Sequence, residues 1–183
     1  MQKTISLVVP VYNEEKNLPL MAALIKGVFS TISDYKYELI FVNDGSRDNS
    51  QIVIEQLASN DSDIKFIEFS RNFGKEAATS AGLAFAIGDA VMMADADLQH
   101  PVALIPQFIT QWEAGFDQVI GIRTTNVSTS LTKKIASRTF YIILNCISGN
   151  KQIPGTTDFR LIDRRVVDAY NELTERNRMT RGL

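Results

Sequence analysis

This sequence contains one cysteine, one histidine and one tryptophan in 183 residues, and each scarcity removes a class of chemistry. A lone Cys146 cannot form an internal disulfide; set among Ile-Leu-Asn-Cys-Ile, it reads as a buried free thiol suited to a reducing compartment. His100 is the only imidazole, so any His-dependent triad would have to use it. Its place between Gln99 and Pro101 suits a structural or substrate-edge role better. No basic excess exists either: 19 Lys and Arg stand against 21 Asp and Glu, for a net charge of -2. A nucleic-acid-binding surface usually needs such an excess, so no nucleic-acid partner is expected. Neither Gly-x-x-x-x-Gly-Lys-Ser/Thr nor Gly-x-Gly-x-x-Gly follows the first apolar run, which argues against a P-loop ATPase and a dinucleotide oxidoreductase.

Long apolar runs are missing as well. No stretch approaches the roughly 18 to 20 uncharged apolar residues that span a bilayer, and the first residues lack a signal-peptide pattern. The expectation is a cytoplasmic, water-soluble chain. Internal repeats, low-complexity tracts and linkers are absent, so residues 1–183 are read as one domain. With 45% hydrophobic and 22% charged residues, the composition is that of an ordinary globular protein. The segment Asn171–Leu183 reads as a polar helix that stops without a cap, which suggests a chain cut from something longer.

What is present is an alternation of apolar β-rich runs and helical patterns. Ile5–Val11 has the near-continuous apolar character of a buried parallel strand. Asn13 is placed to cap the following helix, whose Leu18, Met21, Ala22 and Ile25 share one face. Strands are predicted at Glu38–Val42, Ile64–Phe69, Ala90–Ala94, Phe116–Ile122 and Asp158–Ile162. Helices are predicted through Ile52, Ile54 and Leu57, over the alanine-rich Lys75–Ile87, after Pro101, over Leu131–Ser148 and after the last strand. Strands alternating with helices predict an α/β fold with a mainly parallel central sheet.

Ligands of such sheets bind at the carboxyl ends of the strands, so the residues that follow each strand carry the chemistry. They are Pro10, Tyr12, Asn13, Glu14 and Glu15; Asp44, Gly45 and Ser46; Ser70, Arg71, Asn72 and Gly74; Asp95, Asp97 and Gln99; and Gly121 and Arg123. Asp95 and Asp97, spaced i and i+2 on an extended segment, point the same way and repel unless a cation sits between them. Oxygen ligands suit a hard divalent ion such as magnesium or manganese, and Gln99 adds another oxygen on the same side. A solvated Asp-rich turn is the competing reading.

Taken in order, Val9-Pro10-Val11-Tyr12-Asn13-Glu14-Glu15, Val42-Asn43-Asp44-Gly45-Ser46 and Asp95-Ala96-Asp97-Leu98-Gln99-His100-Pro101 closely resemble family 2 glycosyltransferases, which have the Rossmann-like GT-A fold. Asn72-Phe73-Gly74-Lys75-Glu76-Ala77-Ala78, with Gly82-Leu83 and Gly88-Asp89, is similar to the branch of dolichol-phosphate mannosyltransferase and bacterial polyprenyl-phosphate glycosyltransferases. Bacterial members commonly continue into transmembrane helices after a segment like Arg176–Leu183.

The resemblance implies that Pro10, Tyr12 and Glu14 line a nucleoside pocket, that Asp44 addresses the base, and that Lys75 lies near the donor cleft, where a solvated helix-terminal lysine is the alternative. It implies Asp95 in the ribose or metal shell, Asp97 and Gln99 as ligands of the ion through the diphosphate, and Arg123 as a phosphate-binding arginine. The family often has Asp-Asp where this chain has Asn43-Asp44. Gly155-Thr156-Thr157-Asp158-Phe159-Arg160-Leu161 matches the acceptor side, with Asp158 the candidate catalytic carboxylate beside Asp97, and Arg160 orienting it or binding phosphate. An Asp-Arg ion pair at a strand start is the alternative there. Lys133, Lys134, Ser137 and Arg138 precede Phe140-Tyr141-Ile142-Ile143-Leu144, a pattern for a helix at a membrane surface or for a helix with one buried face and a solvated basic end. In the family this region lies near the lipid phosphate.

The implied activity is inverting, metal-dependent hexosyl transfer from a UDP- or GDP-sugar to a polyprenyl phosphate, at the cytoplasmic face of the membrane, in cell-envelope glycan synthesis. Homo-oligomers are compatible with it. A family 2 enzyme extending a saccharide hydroxyl and a non-catalytic nucleotide-sugar-binding module are the alternatives.

Overall fold

The computed structural model describes residues 2–122 and 156–173. It forms two compact units, residues 1–119 with 158–183, and residues 120–157. Within the second, Thr157 Oγ1 donates to the Gly121 carbonyl at 2.8 Å. Cys146, the helix expected over Leu131–Ser148, and Arg123, Lys133, Lys134, Ser137 and Arg138 lie outside the described residues.

The strands are β1 (Lys3–Val11), β2 (Tyr35–Asn43), β3 (Ile64–Glu68), β4 (Ala90–Met93), β5 (Gln118–Ile122) and β6 (Thr156–Asp163). The helices are α1 (Leu18–Thr31), α2 (Ser50–Asn60), α3 (Lys75–Phe85), α4 (Ile105–Glu113) and α5 (Arg164–Glu172). The sheet runs β3-β2-β1-β4-β6-β5. Pairings β1–β2, β1–β4 and β2–β3 are parallel, and β6 joins β4 antiparallel with Met93 opposite Arg160. The predicted mainly parallel α/β sheet is therefore present.

Both faces of β1 are apolar because helices cover both. Ile5, Leu7, Val9 and Val11 face one core with Leu18, Met21 and Ile25 of α1, Ile54 of α2, and Phe108 and Trp112 of α4. Val8 faces the other core with Ala78 and Leu83 of α3 and Val167 and Tyr170 of α5. The buried Ser6 fits because its Oγ accepts from Gly88 N at 2.8 Å. Gly82 sets how closely α3 approaches: a Cβ there would lie 2.2 Å from Val8 Cγ1.

Some local expectations differ from the structure. Asn13 does not cap α1, which starts only at Leu18 after Asn17. Asn13 has φ +58°, and its side chain accepts from Arg47 N at 2.8 Å, so it ties two loops together instead. Ile52 is exposed while Ile54 is fully buried, because α2 presents only a narrow stripe to the sheet. Pro101 precedes a 3-10 turn at Val102–Leu104 that runs into α4. Of the polar helix expected over Asn171–Leu183, Asn171 and Glu172 close α5 and Leu173 is extended, while residues 174–183 lie outside the described residues. Among the described residues, no helix is long and apolar enough to cross a membrane.

Candidate active site

Strand order reverses beside β1, which has β2 on one side and β4 on the other. Diverging connections at such a switch point leave a crevice at the carboxyl ends of the strands. A cavity of about 450 Å³ opens there, within the usual range for small-molecule sites, and includes Pro10, Tyr12, Glu14, Asp44, Lys75 and Asp97 in its lining. Asp95 is also at its wall. Seven residues expected at the donor and metal site thus share one cleft. Asn72, Gly74 and Ala96 join them.

The cleft is held in shape by hydrogen bonds between loops. Asp44 is buried, and its carboxylate accepts from Phe73 N at 2.7 Å and Gly74 N at 2.9 Å. Gly45, at φ +65°, lies against the backbone of Arg71 and Asn72 so closely that a Cβ would meet Arg71 C at 2.4 Å. On the other side, Asn13 N donates to Ser46 Oγ at 3.0 Å and Glu14 N to Ser50 Oγ at 2.9 Å. Glu15 N donates to Asp48 at 3.2 Å, and Asn49 N to Glu15 at 2.9 Å. Burial opposes the charge of Asp48, but hydrogen bonds from Ser50 and Glu15 outweigh it and hold the carboxyl below its ordinary range.

Lys75, the first residue of α3, reaches across the cleft. Its Nζ contacts Asp95 Oδ1 and lies 2.7 Å from Asp158 Oδ2. Burial pulls its ionisation down, yet hydrogen bonds to Asp158 and Asp95 and their charges prevail, so the ammonium is held above the usual lysine range. The resemblance put Lys75 near the expected donor cleft, but nothing in the sequence signalled that it joins Asp95 to Asp158. Arg160 is buried on β6.

Asp95 and Asp97 converge, although not by strand alternation. Residues 96 and 97 form a turn, Leu98 has φ +59°, and Gln99 N donates to Asp97 Oδ1 at 3.0 Å. The group that gathers around them includes His100: one ligand atom from each of Asp95, Asp97 and His100 lies within 4.8 Å of the others. His100 Nδ1 is 4.0 Å from Asp95 Oδ2. The sequence hid this because a turn, not a strand, sets which side chains share a side. Two carboxylates and an imidazole are a donor set suited to a divalent ion.

Residues 6–170 match the family described as "Glycosyl transferase family 2". The chain belongs to this family. It is 42% identical over 182 residues, its whole length, to "Putative glycosyltransferase CsbB" of Bacillus subtilis, of which it covers 55%. It is 41% identical over 179 residues, 98% of its length, to "Bactoprenol glucosyl transferase" of Shigella phage SfV, of which it covers 58%. The chain therefore spans little more than half the length of these curated relatives. Among solved structures it is similar to the mannosyltransferase PcManGT from Pyrobaculum calidifontis in complex with GDP-Man and Mn2+. That likeness has a TM-score of 0.64 and 19% identity over 92% of this chain and 47% of that one. Glucosyl-3-phosphoglycerate synthase from Mycobacterium tuberculosis, with Mn2+, UDP and phosphoglyceric acid, matches with a TM-score of 0.63 and 21% identity, over 90% of this chain and 57% of that one. These likenesses establish the fold, which is GT-A.

Proposed function

We propose that this domain transfers a hexosyl group from a UDP- or GDP-sugar to the phosphate of a polyprenyl lipid, with inversion, at the cytoplasmic face of a membrane. The observation that carries the donor half is the cleft at the β1–β4 switch point, lined by Tyr12, Asp44, Lys75, Asp95 and Asp97. Support for the acceptor half comes from the relative of Shigella phage SfV, whose name is bactoprenol glucosyl transferase.

In this reading Pro10, Tyr12 and Glu14 hold the nucleoside, and Asp44 stands toward the base while keeping its loop in place. Asp95, Asp97 and Gln99 would hold a divalent ion, magnesium or manganese. Such an ion, when bound, supplies Lewis-acid stabilisation of charge on the leaving diphosphate. Arg123 is assigned to phosphate, and Lys134, Ser137 and Arg138 to the lipid phosphate at the membrane surface.

The displacement forms a bond between an acceptor phosphate oxygen and the anomeric carbon, while the bond from that carbon to the donor phosphate breaks. The electron pair leaves with the diphosphate, through an oxocarbenium-like transition state. An acceptor phosphate monoester, with a second pKa of about 6, is already largely dianionic at pH 7. It requires no general base. Asp158 then acts by orienting, with Lys75 keeping its charge neutralised and Arg160 drawing the acceptor phosphate. Self-association of the chain is compatible with this scheme.

Radiolabelled nucleotide-sugars offered with polyprenyl phosphate test the proposal. Label partitioning into organic solvent, dependent on the lipid, is expected. Label transferred only to a saccharide would favour a hydroxyl acceptor, and donor binding without turnover in the presence of lipid would favour a binding module.

A further inference from the structure

We infer that His100 supplies a nitrogen ligand to the divalent ion, through Nδ1, and biases the centre toward manganese or cobalt over magnesium. The inference rests on reading Asp95 and Asp97 as the metal centre and adds a residue to it.

The imidazole is held by packing. Its ring stacks on Phe159 with centroids 5.2 Å apart and planes 7° from parallel. Phe159 is buried on β6, and its ring is steadied in turn by Phe108 at 4.9 Å and 65°. This stack fixes the plane of the His100 ring at the edge of the carboxylate pair.

His100 Nδ1 is buried and has no hydrogen-bond partner among the described residues. Buried polar atoms are satisfied in the great majority of cases, and an exception calls for a water, an ion or a function. Asp95 Oδ2 lies 4.0 Å away, too far for a hydrogen bond. This spacing would let both atoms reach one ion, since metal–nitrogen and metal–oxygen bonds are each about 2.0 to 2.2 Å. One ligand atom from each of Asp95, Asp97 and His100 lies within 4.8 Å of the others, so small side-chain adjustments would bring all three to one ion.

Asp95 can serve both partners at once. Its Oδ1 faces Lys75 and its Oδ2 faces His100, so the ion and the ammonium do not compete for the same oxygen. Nitrogen ligation also changes selectivity. Magnesium favours oxygen ligands and retains water, whereas imidazole suits transition metals.

The test is electron paramagnetic resonance of Mn2+ bound to the full chain, with spin-echo modulation used to detect coupling to 14N. Coupling in the wild-type chain and its loss in His100→Ala are expected. The variant should also bind Mn2+ at least about tenfold more weakly, the scale on which even outer-shell partners act, while competition by Mg2+ changes less than about twofold. Mn2+ binding that depends on Asp97 but shows no 14N coupling overturns the role of His100 and leaves the metal centre standing. Mn2+ binding that is absent, or insensitive to Asp97→Ala, overturns the centre and the inference together. The wild-type spectrum decides the ligand whether or not the variants fold.

Discussion

Lys75 Nζ lies 2.7 Å from Asp158 Oδ2, and the same ammonium also contacts Asp95 Oδ1. One cation from the first turn of α3 therefore joins the carboxylate that follows β4 to the one on β6. Two carboxylates drawn this close repel unless a positive charge stands between them. Lys75 is that charge, and because its ammonium is held above the usual range, it is present throughout the neutral region.

Lys75→Met is accordingly expected to reduce turnover by about tenfold or more, in the range of removing a preorganised charged donor. Its effect should not add to that of Asp158→Asn, since each variant removes the same contact. A double-mutant cycle on kcat/KM should give a coupling of about 0.5 to 3 kcal/mol, toward the lower end because Lys75 is 45% exposed and solvent screens the pair. Additive effects, within about 0.3 kcal/mol, would show that the bridge has no role in the reaction.

Asp44 is expected to matter for stability as well as for the donor. Its carboxylate accepts from the amides of Phe73 and Gly74, the residues that lead directly into Lys75. Asp44→Ala leaves two donors without their acceptor; a fully buried loss costs about 1 to 3 kcal/mol, and less is expected here because Phe73 is exposed and water can reach its amide. Asp44→Asn keeps one acceptor oxygen and should lose less. Urea unfolding gives the first quantity, and titration with nucleoside diphosphate gives the second. If Asp44→Ala weakens the donor with no change in unfolding midpoint, the carboxylate acts on the nucleotide alone.

The apolar runs make the sheet legible in the sequence, because a strand buried on both faces, such as Ile5–Val11, has no polar alternation to disguise it. The strand ends then pointed to the cleft, and Tyr12, Asp44, Lys75, Asp95 and Asp97 do line it. Contacts formed by loops were less legible. Asn13 looked like a helix cap, since cap and loop staple use the same residue types, and only its φ of +58° tells them apart. His100, between Gln99 and Pro101, reads as structural or substrate-edge, yet its neighbours Asp95 and Phe159 come from the segment after β4 and from a strand 59 residues further along. The antiparallel placement of β6 beside β4, which brings Asp158 to Lys75, is a tertiary choice that local patterning does not encode.

Two glycines in helices should respond in opposite directions to alanine. At Gly82 a Cβ would lie 2.2 Å from Val8 Cγ1 and 3.2 Å from Val42 Cγ2. Val8 is fully buried on β1 and branched at Cβ, so it cannot swing aside. Gly82→Ala is expected to destabilise by about 1 to 3 kcal/mol, the usual effect of overpacking. Gly27 in α1 has nothing within 4 Å of its would-be Cβ, and Gly27→Ala should stabilise by about 0.5 to 1 kcal/mol through helix propensity. Chemical denaturation of both variants checks the pair. Destabilisation at Gly27 or tolerance at Gly82 would contradict the packing of the helix concerned.

Stability should form a plateau in pH bounded by named pairs. Burial pushes Tyr35 up to about 12, helped by its hydrogen bond to Glu113. Burial likewise pushes Tyr37 up to about 12, helped by the charge of Asp61. A raised phenol stabilises the fold fully below its unfolded value of about 10, and that contribution is lost as pH rises through about 12. The partner carboxylates run the other way. The hydrogen bond from Lys3 holds Glu113 below its ordinary range, and the hydrogen bond from Lys26 does the same for Asp61. Their contribution is present above about pH 4 and is lost as pH falls through the depressed folded values. Absorbance of tyrosinate at alkaline pH should therefore contain a late component that Tyr35→Phe and Tyr37→Phe each reduce. The same substitutions should flatten the fall in Tm between about pH 10 and 12. A late component untouched by either variant would mean that these phenols are not the groups whose burial sets the alkaline limit.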